Sequence, residues 1–186
     1  MNVHLPTHMD KAAFLAWAEC QEGRFELVKG RVVMMPGVSR RHGLIVMNLA
    51  VALRNQLDPQ RWQVIAEFGL DAEPETLRYP DIVVDAVGGG GKDYTAASPV
   101  LVVEVLSPST AAIDLGDKAA EYLKLPTVKA YLVFSQDEPK AWVWQRGADG
   151  FAPGPQVVAG EERTVRIESP AVDLPLAAIY ASLPAA

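Results

Sequence analysis

The sequence predicts an α/β fold in which a mixed β-sheet core is flanked by α-helices. Three observations predict it: short apolar segments with strand-like character, amphipathic segments with helical spacing, and turn residues that separate the two kinds. Of the 186 residues, 49% are hydrophobic and 22% are charged, so the chain can bury one substantial core. Because no Pro/Gly/Ser-rich linker divides the sequence, we expect a single domain over residues 1–186.

The N-terminal part is predicted to form a helix and a β-hairpin. Thr7 and Asp10 resemble a capping box, and the apolar residues after them recur at helical spacing, which predicts a helix over about residues 8–20. Residues 25–28 and 31–35 are mostly apolar and are separated by a tight glycine-containing turn. This pattern is typical of two paired antiparallel strands.

A second helix and three strands are predicted next. Ser39 can cap a helix whose broad apolar stripe continues until Asp58, which is followed by a proline. Residues 62–68 alternate as a half-buried strand does, and residues 81–85 follow a proline that favours an extended entry. Residues 100–105 are almost continuously apolar, which predicts a central strand covered on both faces.

The remainder is predicted to continue the sheet through a βαβ unit. Residues 107–110 offer cap residues, residues 114–125 fit a helix, and residues 130–134 form the next strand. Residues 140–145 and 164–167 alternate and are separated by a turn-rich segment. We interpret these last two segments as antiparallel edge strands.

Composition and charge restrict the classes of protein. A formal net charge of −6 argues against a broadly cationic surface, so any nucleic-acid contact must be local. The single cysteine, Cys20, cannot form an internal disulfide and is expected to be a small buried residue. Apolar runs are too short to cross a bilayer and no signal pattern opens the sequence, so we expect a cytoplasmic protein without membrane contact.

Two acidic residues in apolar strands carry the chemical signal. Glu104 lies within the most apolar strand, where an unpaired charge is very costly to bury, and Asp81 begins a neighbouring strand. Such carboxylates can converge on an oxygen-preferring cation such as Mg²⁺ or Mn²⁺. The alternative is a buried structural pair that backbone N–H groups or arginines satisfy.

The two acids resemble a known nuclease signature. Pro80-Asp81 followed by Glu104-Val105-Leu106 is similar to the PD-(D/E)XK motif of restriction-endonuclease-like nucleases, although Leu106 stands where that motif has a lysine. More specifically, the Uma-type endonuclease family is similar along nearly the whole chain, in the segments FELVKGRVVMMP (25–36), LVVEVLSPST (101–110) and DKAAEY (117–122). Ser39 with His42, and the strand around Tyr131, belong to the same likeness.

The resemblance implies a restriction-endonuclease-like mixed sheet and a set of site residues. Asp81, Glu104 and the Val105 carbonyl would bind the metal ion, and Lys118 on the following helix would take the role of the missing motif lysine. Glu26 is implied as a third acid near the site. His42 is implied as a substrate-binding residue at the start of the second helix.

Each implied role has an alternative in the sequence. Lys118 can instead pair with Asp114, four residues earlier on the same helix face. Glu26 can pair with Arg31 or another base across the hairpin. His42, beside two arginines, can belong to a surface cluster at the helix start.

The predicted function is metal-dependent hydrolysis of phosphodiester bonds, most specifically by a Mg²⁺-dependent endonuclease acting on DNA. The rival is a catalytically inactive module of the same fold that binds nucleic acid or protein, which Leu106 favours. Symmetric pairing through edge strands would suit an enzyme that acts on two nucleic-acid strands, so a homodimer is expected.

Overall fold

The computed structural model describes residues 8–107 and 111–184. Its elements follow the chain in this order: α1 (Lys11–Ala18), β1 (Phe25–Val28), β2 (Arg31–Met34), α2 (Arg40–Gln56), β3 (Trp62–Ala66), β4 (Leu70–Glu73), β5 (Thr76–Arg78), β6 (Ile82–Ala86), β7 (Pro99–Val105), a π-helical segment (Ile113–Lys118), α3 (Ala119–Tyr122), β8 (Ala130–Phe134), β9 (Lys140–Gly147), β10 (Gly150–Phe151), β11 (Gln156–Ala159), β12 (Thr164–Glu168), β13 (Ala171–Pro175) and α4 (Leu176–Ile179). No helix within the described residues is long and apolar enough to span a bilayer.

A seven-stranded mixed sheet forms the centre of the fold. Its strands lie in the order β10-β9-β8-β7-β6-β3, with β11 also paired to β9. β7 and β8 are parallel, as the predicted βαβ unit requires, and the other pairs of this sheet are antiparallel. β7 is buried along its whole length, which confirms the prediction of a central strand covered on both faces.

Two helical layers cover the two faces of β7. On one face, α2 packs its buried residues Ile45, Leu49 and Leu53 against alternate residues of β6, β7 and β8. On the other face, α3 contributes Ala119 and Tyr122 to a second cluster with Val102 and Leu106. Glu104 shares this second face, because side chains two apart along a strand point the same way.

A four-stranded antiparallel sheet in the order β2-β1-β5-β4 lies beside the large sheet. The β1–β2 hairpin confirms the sequence prediction. The β4–β5 hairpin was not predicted, because its short strands carry polar and charged residues among the apolar ones and show no strand-like run. Arg78 ends β5 and lies just ahead of Asp81, so this hairpin positions the entry to β6.

The first helix differs from its prediction in its cap. Asp10 is the N-cap, and its side chain accepts a hydrogen bond from the backbone N–H of Ala13 at 2.8 Å. Thr7, the other half of the predicted capping box, lies outside the described residues, as do the predicted cap residues 108–110. Cys20 is exposed rather than buried, because α1 ends at Ala18 and the chain turns at the surface.

Two predictions for the C-terminal part were wrong. The strand of residues 140–145 is not an edge strand: β9 pairs with β8 on one side and with β10 and β11 on the other. The segment predicted as turns supplies β10 and β11, whose short length hid their strand character. The strand predicted at residues 164–167 does form, as β12, and it pairs with β13 in a separate two-stranded sheet.

Candidate active site

A cavity of about 350 Å³ opens where β6 begins and β7 ends. Most of the predicted site residues line it together: Asp81, Glu104, Val105, Lys118 and His42. Glu26 lies behind these residues rather than on the cavity wall. An apolar rim, formed by Met35, Pro36, Val38 and Tyr79, faces the acidic floor.

Asp81 is held at the entry to β6 by two hydrogen bonds. Its Oδ2 accepts the backbone N–H of Val105 at 2.7 Å, which ties the carboxylate to the end of β7. Its Oδ1 lies 3.0 Å from His42 Nε2, and since a carboxylate only accepts, the ring nitrogen carries the proton. His42 is buried, so it does not belong to a surface cluster at the helix start.

Glu104 lies on β7 and is only 4% exposed. Its Oε1 accepts hydrogen bonds from Lys118 Nζ at 2.9 Å and from the Tyr122 hydroxyl at 3.1 Å. The pKa of Glu104 is raised to about 8, chiefly by burial and also by the charges of Asp81 and Asp114, against the lowering effect of Lys118. Burial and the nearby Glu104 also raise the Tyr122 pKa well above its usual value, so the hydroxyl stays a donor.

Lys118 projects from the π-helical segment into a group of carboxylates. Besides Glu104, its Nζ lies 3.1 Å from Asp114 Oδ1 and 3.8 Å from Glu26 Oε1. Burial lowers the pKa of Lys118, but these three carboxylates outweigh it and raise the pKa above its ordinary value. Lys118 therefore stays cationic while Glu104 is the acid that takes up a proton. Lys118 thus contacts both Glu104 and Asp114, the two residues that the alternative interpretations of the sequence place beside it.

Glu26 belongs to a buried ion-pair network beneath the cavity. Its Oε2 accepts from Arg78 at 3.0 Å, and its Oε1 accepts the backbone N–H of Tyr79 at 3.1 Å. Arg78 also forms two parallel hydrogen bonds of 2.8 Å with Glu121, the bidentate geometry that suits guanidinium. The predicted alternative partner Arg31 is exposed and takes no part in this network.

The site and its support carry a surplus of negative charge. Among the described residues, five buried acids meet two buried cations, Arg78 and Lys118; the five are Glu26, Asp81, Glu104, Asp114 and Glu121. With Glu104 protonated, four carboxylates still outnumber the two cations. Within the described residues, Asp114 Oδ1 is buried and accepts no well-aligned hydrogen bond, although Lys118 is close. Buried acids without full compensation are costly, so this donor set fits an added cation.

The side chains do not form a complete cage for a metal ion. Within residues 8–107 and 111–184, no group of three or more His, Cys, Asp or Glu side chains could hold a metal ion. Mg²⁺ is often bound through one or two carboxylates while water and substrate phosphates fill its other positions. The residues present therefore fit an open site of that kind and do not fit a closed structural one.

Three supporting residues were not predicted as part of the site: Arg78, Tyr122 and Glu121. Asp114 was considered only as a partner of Lys118, yet it lines the cavity. Its signal in the sequence is an acid at the start of the helix that follows the Glu104 strand. For Arg78 the available signal is a base directly ahead of the Tyr79-Pro80-Asp81 segment.

The fold and the position of these acids define a restriction-endonuclease-like protein. The family model described as Uma2, "Putative restriction endonuclease", matches residues 12–177, and the chain belongs to that family. The family and the fold together support a restriction-endonuclease-like nuclease.

Similar proteins occur in cyanobacteria. The Synechocystis protein slr1290 is 32% identical over 141 residues, and the match covers 74% of each of the two chains. The protein sll1609 of the same organism is 28% identical over 130 residues, and that match covers 67% of this chain and 73% of sll1609. A crystal structure of a putative nuclease of the DUF820 family from Anabaena variabilis superposes with a TM-score of 0.75. The superposition covers 92% of this chain and 97% of the Anabaena chain. At 16% identity, this likeness shows the fold alone.

Proposed function

We propose that this protein is a Mg²⁺- or Mn²⁺-dependent endonuclease that hydrolyses phosphodiester bonds in DNA. The observation that carries the proposal is the surplus of buried acids around Lys118 and Arg78, three of which, Asp81, Glu104 and Asp114, line one open cavity with a single lysine. A divalent cation is the simplest compensation for such a surplus where substrate can enter. Membership of the Uma2 family supports the same reaction class.

Asp81, Glu104 and the Val105 carbonyl are the groups that would hold the cation. The backbone N–H of Val105 donates to the Asp81 carboxylate at 2.7 Å, so that carboxylate is held beside the Val105 peptide. At such a site a bound divalent cation supplies positive charge to the phosphate and acidifies the attacking water. His42 would orient the Asp81 carboxylate through its ring N–H, in addition to the substrate contact predicted for it.

Lys118 would hold the attacking water or a phosphate oxygen. Its ammonium has three donors and lies 2.9 Å from Glu104 and 3.1 Å from Asp114, so a third donor would serve the water or the phosphate oxygen. Glu26 stands 3.8 Å behind the ammonium and would keep it charged and correctly placed. As the third acid near the site that the resemblance implies, Glu26 would also complete the metal shell, directly or through water.

We propose one domain that acts as a cytoplasmic homodimer. Because both edges of β9 are paired, that strand cannot carry the dimer contact expected from the sequence. β3, at the end of the seven-stranded sheet, is an edge strand without a charged residue and offers backbone groups for symmetric pairing. Light scattering after gel filtration would report twice the 20.1 kDa chain mass if this expectation holds.

The test of the function combines cleavage with metal binding. Plasmid DNA, single-stranded DNA and RNA are incubated with purified protein in Mg²⁺, in Mn²⁺ and in chelator, alongside Asp81→Ala and Glu104→Ala. We expect DNA cleavage that needs the metal and is lost in both variants, with Asp93→Ala, in the exposed glycine loop, as the unaffected control. Cleavage that survives both substitutions would refute the site. A protein that binds DNA equally well in all variants and never cuts is the inactive module instead.

A further inference from the structure

The mouth of the cavity carries an arginine that the proposed mechanism does not use. Arg24 lines the same cavity as Asp81 and Lys118, and its Nη1 lies 3.0 Å from Glu67 Oε1. The side chains of Arg24 and Glu67 are 35% and 50% exposed, whereas Lys118 is buried among three carboxylates. Among the described residues that line the cavity, Arg24 is therefore the permanent cation that no site acid engages.

Backbone hydrogen bonds hold both residues of this ion pair beside the cavity, although only Arg24 lines it. The Arg24 carbonyl accepts the N–H of Met35 at 2.8 Å, which anchors it beside the apolar rim. The Glu67 N–H donates to the Asp81 carbonyl at 3.1 Å, which anchors the partner directly at the metal-binding acid. The ion pair thus connects the β1–β2 hairpin, through Arg24, to the residue just before β6, through Glu67.

Glu67 is held in an unfavourable backbone conformation. Its φ is +52°, in the left-handed region that residues with a side chain seldom adopt. Such strain persists only where the surroundings enforce it, and it concentrates at functional positions. The conformation keeps the Glu67 carboxylate within reach of Arg24 at the entrance.

A nucleic-acid strand entering this cavity meets an acidic floor. Phosphate groups need clustered cations for attraction, and the total charge of −6 makes a general surface attraction ineffective. A guanidinium can bind two phosphate oxygens at once, and an exposed ion pair is weak enough to exchange its partner. Arg24 meets both conditions.

We propose that Arg24 is a phosphate-binding residue that leaves Glu67 and takes a non-bridging oxygen of a backbone phosphate next to the one that is cleaved. Glu67 acts as an internal competitor that holds the guanidinium in place while the cavity is free of nucleic acid. The inference rests on the proposed nuclease function, because it requires a nucleic-acid strand in the cavity.

The test compares two variants that are expected to change DNA affinity in opposite directions. Binding of a fluorescein-labelled DNA duplex is measured by anisotropy over a series of salt concentrations, with Ca²⁺ in place of Mg²⁺ to prevent cleavage. Arg24→Ala should weaken binding about tenfold and reduce the slope of log Kd against log salt by roughly one. Glu67→Gln should tighten binding, since the competing carboxylate is lost. The matched control is Arg166→Ala, which breaks a comparable exposed pair with Asp173 on the β12–β13 hairpin.

The outcomes separate this inference from the proposed function. If the wild-type protein cuts DNA and Arg24→Ala behaves like Arg166→Ala in both Kd and KM, the function stands and the Arg24 inference is overturned. If Glu67→Gln weakens binding as much as Arg24→Ala does, the pair is merely structural and the inference is again overturned. If the wild-type protein neither binds nor cuts the duplex, both fall together. Thermal unfolding of each variant checks that the fold is retained.

Discussion

Lys118 Nζ donates to Glu104 Oε1 at 2.9 Å, although the two residues lie on different elements and 14 positions apart in the chain. Leu106, which takes the lysine position of the family motif, points toward the same face as Glu104 and packs in the hydrophobic cluster with Val102 and Tyr122. The helical segment after β7 covers that face and brings an ammonium group to the carboxylate from outside the strand. This relation supports the displaced-lysine hypothesis and makes Lys118 the first residue to test.

Lys118→Met should abolish cleavage while leaving a metal site. We expect the cleavage rate to fall by about 100-fold or more, because a positioned charge at the phosphate is lost. Stability should fall by about 3–5 kcal/mol, since three buried carboxylates lose their shared cation. Mn²⁺ affinity should not decrease, because the site becomes more negative.

Denaturant unfolding, calorimetric Mn²⁺ titration and a cleavage assay measure the three quantities. Lys124→Met is the matched control, since that lysine forms an exposed pair with Glu73 and its loss should leave the stability nearly unchanged. Unchanged cleavage in Lys118→Met would contradict the assigned role.

Metal affinity should depend on pH through Glu104. Its pKa of about 8 in the metal-free protein means that the acid is largely protonated at neutral pH, and only the carboxylate binds a cation. The apparent Mn²⁺ affinity should therefore rise as the pH rises toward 8 and then level off, with proton release on binding. Calorimetry in buffers of different ionisation enthalpy detects that proton, and no release at pH 7 would count against the assignment.

The same shift predicts how metal-free stability changes with pH. A pKa raised from 4.5 to about 8 means that the folded state binds the proton more tightly than the unfolded state between those values. Glu104 therefore contributes stability below about pH 4.5 that is lost as the pH rises through 8. Urea unfolding at several pH values should show this loss in the wild-type protein, and Glu104→Gln should remove that contribution.

His42→Ala should weaken metal binding rather than act on substrate alone. His42 Nε2 contacts Asp81 Oδ1 at 3.0 Å, and loss of a partner that orients a ligand typically costs about 10–100-fold in metal affinity. Mn²⁺ titration measures this, with His8→Ala as the control because His8 is exposed and remote from the cavity. A raised KM with unchanged Mn²⁺ affinity would instead favour the substrate-binding role predicted from the sequence.

Arg78→Met should be among the most destabilising single substitutions. Arg78 is 4% exposed and neutralises both Glu26 and Glu121, so its removal strands two buried carboxylates at a cost of about 3–5 kcal/mol. The triple variant with Glu26→Gln and Glu121→Gln should recover part of that loss, because the stranded charges are gone. Denaturant unfolding measures the free energy of unfolding of both variants. A loss of less than about 1 kcal/mol in Arg78→Met would contradict the stabilising role of the ion-pair network.

The sequence by itself determined the local elements with strong signals. The nearly continuous apolar run of β7, the Ser39 cap of α2 and the hairpin of β1 with β2 follow from patterning and turn chemistry, which act over a few residues. The acids in apolar strands were recognisable for the same reason, since a charge there must be compensated. Weak patterns, such as β4, β5, β10 and β11, were missed because their strands are short or polar.

The tertiary structure decided which groups compensate those acids. Glu26 contacts Arg78 rather than Arg31, His42 is buried against Asp81, and Asp114 joins the cavity. These contacts join residues from separate elements, so they depend on how the two sheets and the helices pack. Local sequence patterns fix the direction of a side chain within its element, but only packing fixes which distant side chain it meets.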